Sequence, residues 1–152
     1  MIRNEADYQE ALRRLQQDRA VAQRQREAFV RGGFAPEEVE RGMEPLLSFQ
    51  AQLAEEIEWY ENVRRRNFPV IRRLTQLGQL LIALRIAEGL TQRELAERLG
   101  VSESVVSRDE RNEYHGITVE RAQRILDALQ ASISAQVEEG PPVAEPVLAG
   151  AR

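Results

Sequence analysis

Gly89-Leu90-Thr91-Gln92-Arg93-Glu94-Leu95-Ala96-Glu97-Arg98-Leu99-Gly100-Val101-Ser102-Glu103-Ser104-Val105-Val106-Ser107-Arg108 meets the local demands of two short helices that cross steeply through a tight turn. The first helix needs a small residue where the second approaches, and Ala96 sits there. The turn needs a residue at ease in a left-handed backbone, and Gly100 supplies it. Leu95, Leu99, Val101 and Val106 are spaced to hold the pair together. Thr91 and Ser102 occupy the two N-cap positions. Thr91 followed by Glu94 has the spacing of a capping box.

Outward from this stretch the pattern stays helical. Leu77, Leu80, Leu81, Leu84 and Arg85 begin a helix that ends at Gly89, and further helices are expected over 92–99, about 103–111 and about 119–130. Upstream, Asn67-Phe68-Pro69 is a break, which makes 67–75 a linker and 76–131 the compact unit. The chain opens on Asn4, an N-cap, with Glu5 and Asp7 at the positive end of a helix. Tyr8, Leu12, Leu15, Ala22 and Phe29 keep helical spacing until Gly32-Gly33. A second helix starts near Pro36, and Pro45 is expected to kink or restart it. Residues 1–66 thus read as a helical hairpin. Its second arm carries the apolar stripe Val39, Met43, Leu46, Leu53, Ile57 and Tyr60. That stripe has two uses open to it: packing on the first arm of the same chain, or serving as a dimer or partner seam through Met43, Leu46, Leu53, Ile57 and Tyr60. Downstream, Ser132-Ile133-Ser134-Ala135-Gln136-Val137 alternates polar and apolar side chains, so a short strand is expected within 132–139. The Pro-, Ala- and Gly-rich stretch 140–152 reads as a disordered tail. The fold class is all-α, with that one C-terminal strand.

Composition narrows the function. The 152 residues are 42% hydrophobic and 30% charged, near the globular average. No apolar run approaches the roughly 20 residues of a membrane span. The opening Met1-Ile2-Arg3-Asn4-Glu5 lacks the apolar stretch of a signal peptide, so the expected location is the cytoplasm, with no membrane partner. There is no cysteine and a single histidine, His115, so neither a thiolate nor a multi-histidine metal centre is available, and no cofactor is called for. Carboxylates are spread along helices at surface spacing, and no Gly-rich phosphate loop occurs, which makes an enzyme the weakest option. The net charge of −4 is unevenly placed. Residues 1–63 carry 8 Arg and 13 acidic residues, residues 64–127 carry 12 Arg and 9 acidic residues, and residues 128–152 carry one Arg and three Glu. Exposed charges more than roughly 10 Å apart are largely screened at 0.1 M salt, so an acidic first half does not forbid phosphate binding by a basic second half.

Residues from about 76 to 130 resemble the helix-turn-helix domain of the phage-repressor (Cro/CI-type, XRE) family of transcriptional regulators. The likeness is carried by Leu90-Thr91-Gln92, Leu99-Gly100-Val101-Ser102, Val106-Ser107-Arg108, Glu110 and the closing Thr118-Val119-Glu120-Arg121-Ala122 to Leu129. More loosely, Ile2 to Tyr8 and Glu55 to Glu61 are similar to regulators with a helical hairpin before this domain, among them HigA-type antitoxins. The resemblance implies a four- to five-helix lambda-repressor-like domain whose recognition helix enters the major groove by its N-terminal end. It implies base reading by Glu103, Ser104 and Arg108. Arg108 is suited to a bidentate contact with guanine, and Glu103 to accepting from cytosine while repelling phosphates. Gln92, Ser102, Ser107, Arg111, Asn112 and His115 become candidate phosphate contacts, with Ser102 equally suited to capping alone. Arg85 and Glu110 are expected to form a structural ion pair, and Tyr114 to pack. Asp109 departs from the family, which places an apolar residue there, and it makes the recognition helix acidic. A tight monomeric complex is therefore not expected.

Three functions are compatible with these residues. The first is a homodimeric regulator, a repressor in the leading form, that binds double-stranded DNA at a two-fold operator. The second is an antitoxin that also binds a small toxin protein through the hairpin or the tail. The third is a protein–protein adaptor with a degenerate helix-turn-helix.

Overall fold

Asn4 starts the first helix by accepting the Asp7 N–H on its Oδ1 at 2.8 Å, with Glu5 and Asp7 in the first turn. In the computed structural model, which describes residues 1–137 and 140, this helix (α1) spans Glu5–Arg31. The chain reverses through Gly32 and Gly33, and α2 spans Pro36–Arg64. Proline at the first helical position costs nothing there, because that N–H has no partner in any helix. Pro45 does not restart α2, which runs on through it. The two arms lie antiparallel: Arg26 pairs with Glu40 near the tip, and the Tyr8 hydroxyl donates to Glu61 at 2.7 Å near the base. The Tyr8 and Tyr60 rings stack there with centroids 5.1 Å apart.

The apolar stripe of the second arm is covered within the chain. Met43 and Val39 close a small cluster with Ala22, flanked by Phe29 and Leu46. Ile57, Tyr60 and Val63 belong to the main core, with Leu53 packed at its margin. Val39, Met43, Ile57 and Tyr60 of the stripe are buried in these two clusters, beside Ala11, Leu15 and Ala22 of α1, while Leu46 and Leu53 are partly buried.

A 3-10 turn at Leu74–Gln76 leads into α3 (Leu77–Ala87), followed by α4 (Gln92–Leu99), α5 (Glu103–Arg111) and α6 (Val119–Ala128). The Thr91 capping box is complete. Thr91 Oγ1 accepts the Glu94 N–H at 3.1 Å, and Glu94 Oε2 accepts the Thr91 N–H at 2.7 Å. Thr118 caps α6 in the same sense, accepting from the Arg121 N–H at 3.2 Å. Leu81, Ile82, Ala83, Leu95, Ala96, Val106, Ile125 and Leu129 form the centre. Ile2, Tyr60 and Val63 from the base of the hairpin are buried in the same cluster. Hairpin and helix-turn-helix therefore share one core, with each such buried side chain contributing roughly 1.5–3 kcal/mol.

Two expectations need correction. Residues 131–137 form no strand, and Ile133 and Val137 are 42% and 96% exposed. An isolated alternating segment has no ladder to join when every other element among the described residues is a helix. Positions 138–139 and the expected tail from 141 lie outside the described residues. Val101, expected to help hold the two crossing helices, is 37% exposed and sits at the rim of a hollow beside Leu99 and Ile125. No helix among the described residues is long and apolar enough to cross a membrane.

Candidate nucleic-acid interface

The geometry of α4 and α5 follows from a few side chains. Gly100 has φ 67° and ends α4 in the left-handed region, which turns the chain within three residues. Ala96 at the crossing is buried, and Leu95 and Val106 close the angle from inside. With that side inward, the first turn of α5 presents Glu103 and Ser104 to solvent, and Arg108 follows one turn later, also exposed. Val105 is half-buried and Val106 fully buried, so only the former has an edge outside.

Ser102 holds the N-cap place of α5 with an extended backbone, but its hydroxyl does not cap. Its Oγ lies 2.9 Å from Ser104 Oγ instead. The Val105 N–H donates to the Ser102 carbonyl at 3.0 Å, so the N–H groups of Glu103 and Ser104 are those left for an outside acceptor, at the end of the helix where a partial positive charge gathers.

Behind this surface lies a buried ionic node. Arg85 Nη2 donates to Glu110 Oε2 at 2.8 Å and Arg85 Nε pairs with the other carboxylate oxygen, with the two side chains 3% and 0% exposed. Arg85 also donates to the Leu90 carbonyl at 2.6 Å and to the Arg3 carbonyl at 3.1 Å. Gln92 Nε2 donates to Glu110 Oε2 at 2.7 Å. The Gln92 amide carries two hydrogens, so one is committed inward and one is left to give. A carboxylate taken wholly out of water needs this number of donors. The node ties the start of the hairpin, the α3–α4 turn, the first residue of α4 and the back of α5 into one unit.

Asp109 faces α6, half-buried, and pairs with Arg121. The acid that departs from the family pattern is thus neutralised by a cation across the helix packing. Sequence reading missed this partner because nothing local links positions 109 and 121.

The loop after α5 carries Arg111, Asn112 and His115 on its exposed side, and Ser107 is half-buried on α5. Glu113 and Tyr114 both take positive φ, 49° and 53°. Non-glycine residues held there cost about 1–2 kcal/mol each. The loop is held in this shape from below. A Cβ at Gly78 would stand 1.8 Å from the Glu113 carbonyl oxygen, so α3 and the loop approach as only glycine allows. Gln79 adds a hydrogen bond to Glu113 at 3.2 Å. Tyr114 is buried, and burial, followed by the charges of Glu110 and Asp109, pushes its hydroxyl well above the usual tyrosine range. It packs and does not present itself to a base. The glycine inside the apolar start of α3 was the available sequence signal for this close approach.

Residues 81–135 match the family described as helix-turn-helix, about a third of the chain. No curated protein and no solved structure matches it. The matched segment holds most of α3 and all of α4, α5 and α6, with both partners of the buried ion pair. The segment is similar to helix-turn-helix domains of the XRE type, and the match supports a DNA-binding regulator.

Proposed function

We propose that the chain is a sequence-specific transcriptional regulator that binds a two-fold operator as a homodimer and represses by occupying it. The observation that carries this reading is the exposed face of α5. Glu103, Ser104 and Arg108 stand outward on a helix whose back is fixed by Arg85, Gln92 and Glu110. Side chains that read base edges need such a rigid support, because a bidentate contact is lost with small misplacements. Arg108 reads guanine, and Glu103 adds selectivity while reducing affinity. Gln92, Ser102, Ser107, Arg111, Asn112 and His115 contact phosphates around them. The acidic face of α5 makes one copy a weak binder, and a second copy on the other half-site restores affinity. The protein then acts in the cytoplasm, at the nucleoid.

The test is selection of bound fragments from the host genome by the full chain, followed by titration of the best fragment over a salt series. A palindromic motif is expected, with affinity falling steeply as salt rises. Arg108→Ala should blur the motif as well as weaken binding. No enrichment at low salt would overturn the reading.

The antitoxin reading has one observation in its favour. Val30 and Phe34 near the hairpin tip, and Phe49 farther along α2, are more than half exposed, which leaves apolar side chains on the hairpin for a protein partner. Co-purification of a small protein with the full chain from its host would support it, and recovery of the chain alone would count against it.

A further inference from the structure

Between the base of the hairpin and the helix-turn-helix is a groove of about 450 Å³. Arg3 and Asn4 from the entry to α1, and Arg64 from the end of α2, form one wall. Thr91, Gln92 and Glu103, at the starts of α4 and α5, form the other. The hairpin thus reaches the side of the molecule where the helix-turn-helix presents its helix N-termini.

The cations of this groove are not alike. Arg64 is paired with Glu5 at 2.6 Å, and Arg85 is consumed by Glu110. The Arg3 guanidinium has no acceptor among the described residues, and its Nε is buried without a hydrogen-bond partner. Its backbone is nevertheless held on both sides. Ile2 is buried in the core, the Arg3 carbonyl accepts from Arg85, and the Arg3 N–H donates to Asp7 Oδ2 at 3.4 Å. A pinned backbone that carries an unpaired guanidinium into a groove suits an anion with two acceptor oxygens, such as a backbone phosphate. Glu103 faces the same groove and repels phosphates, so a cation there also offsets the acid at the start of α5.

We propose that Arg3 is a DNA-backbone contact. In this arrangement the hairpin entry is part of the nucleic-acid interface and grips a phosphate beside the one met by the start of α4. This rests on the DNA-binding reading above and extends it to an element outside the helix-turn-helix.

The test uses the full chain and the selected operator duplex. Arg3→Gln should lower the salt slope of binding by about 1 and weaken binding about tenfold on every sequence, with the preferred motif unchanged. Arg13→Gln, on an exposed turn of α1 where Arg13 pairs with Glu10, should bind as the parent does. Since the chain has no cysteine, Arg3→Cys bearing an iron chelate gives a second measurement that needs no affinity change. It should cut the DNA backbone at the flank of each half-site. A parent that binds with Arg3→Gln unaltered in slope and affinity, or with no cutting from position 3, overturns the proposal while leaving the DNA reading intact. A parent that binds no selected DNA overturns both.

Discussion

Arg85 is the residue on which most depends. Its guanidinium meets Glu110 twice and two backbone carbonyls once each, from parts of the chain as distant as Arg3 and Glu110. A buried pair of this kind contributes little net stability, because desolvation offsets much of the attraction, but removing one partner strands the other. Arg85→Met should therefore cost about 3–5 kcal/mol, measured as a fall in the denaturant midpoint. Arg85→Met combined with Glu110→Leu should recover much of that loss. A double variant as unstable as the single one would show that the carbonyl contacts, and not the carboxylate, set the cost.

The helices were legible in the sequence to the extent that their ends are written locally. Asn4, Gly33, Pro36, Thr91 with Glu94, and Gly100 each act within a turn of their own position, and each boundary stands where they place it. The α4 cap gives a pH dependence of known sign. The Thr91 backbone N–H, then its hydroxyl, hold the Glu94 carboxyl below its usual range. The folded value thus lies below the unfolded one, so the cap's contribution is complete above the ordinary carboxylate range. It is lost as pH falls through the lowered value. Glu94→Gln should flatten that acid-side slope when denaturant midpoints are compared between roughly pH 3 and pH 6. Equal slopes in parent and variant would refute the linkage. What local reading could not supply were the pairings across elements. Asp109 with Arg121, Gly78 beneath Glu113 and Gln92 on Glu110 depend on how helices dock, and no spacing rule reaches that far. The strand expected at 132–137 failed for the related reason that alternation specifies a face, whereas a strand also needs a neighbour.

On the scale of the whole molecule, the division into a hairpin of 1–66 and a compact unit of 76–131 describes the elements but not the core. Ile2, Ile57, Tyr60 and Val63 are buried with the side chains of α3 to α6. Deleting residues 1–66 should accordingly lower the melting temperature of what remains, by an amount reflecting several side chains at roughly 1.5–3 kcal/mol each. Melting followed by circular dichroism checks this. A fragment as stable as the full chain would show that the compact unit stands alone. Oligomeric state is best read on the full chain for the same reason. The long reach of the Arg3–Arg85 contact also bears on how the protein is made. The two residues are 82 positions apart. At a synthesis rate of about 5–20 residues per second, about 4–16 s separate their emergence from the ribosome. In that interval the hairpin can zip its two arms together, yet its base has nothing to close against. Its apolar end waits, uncovered, for helices that have not yet been translated.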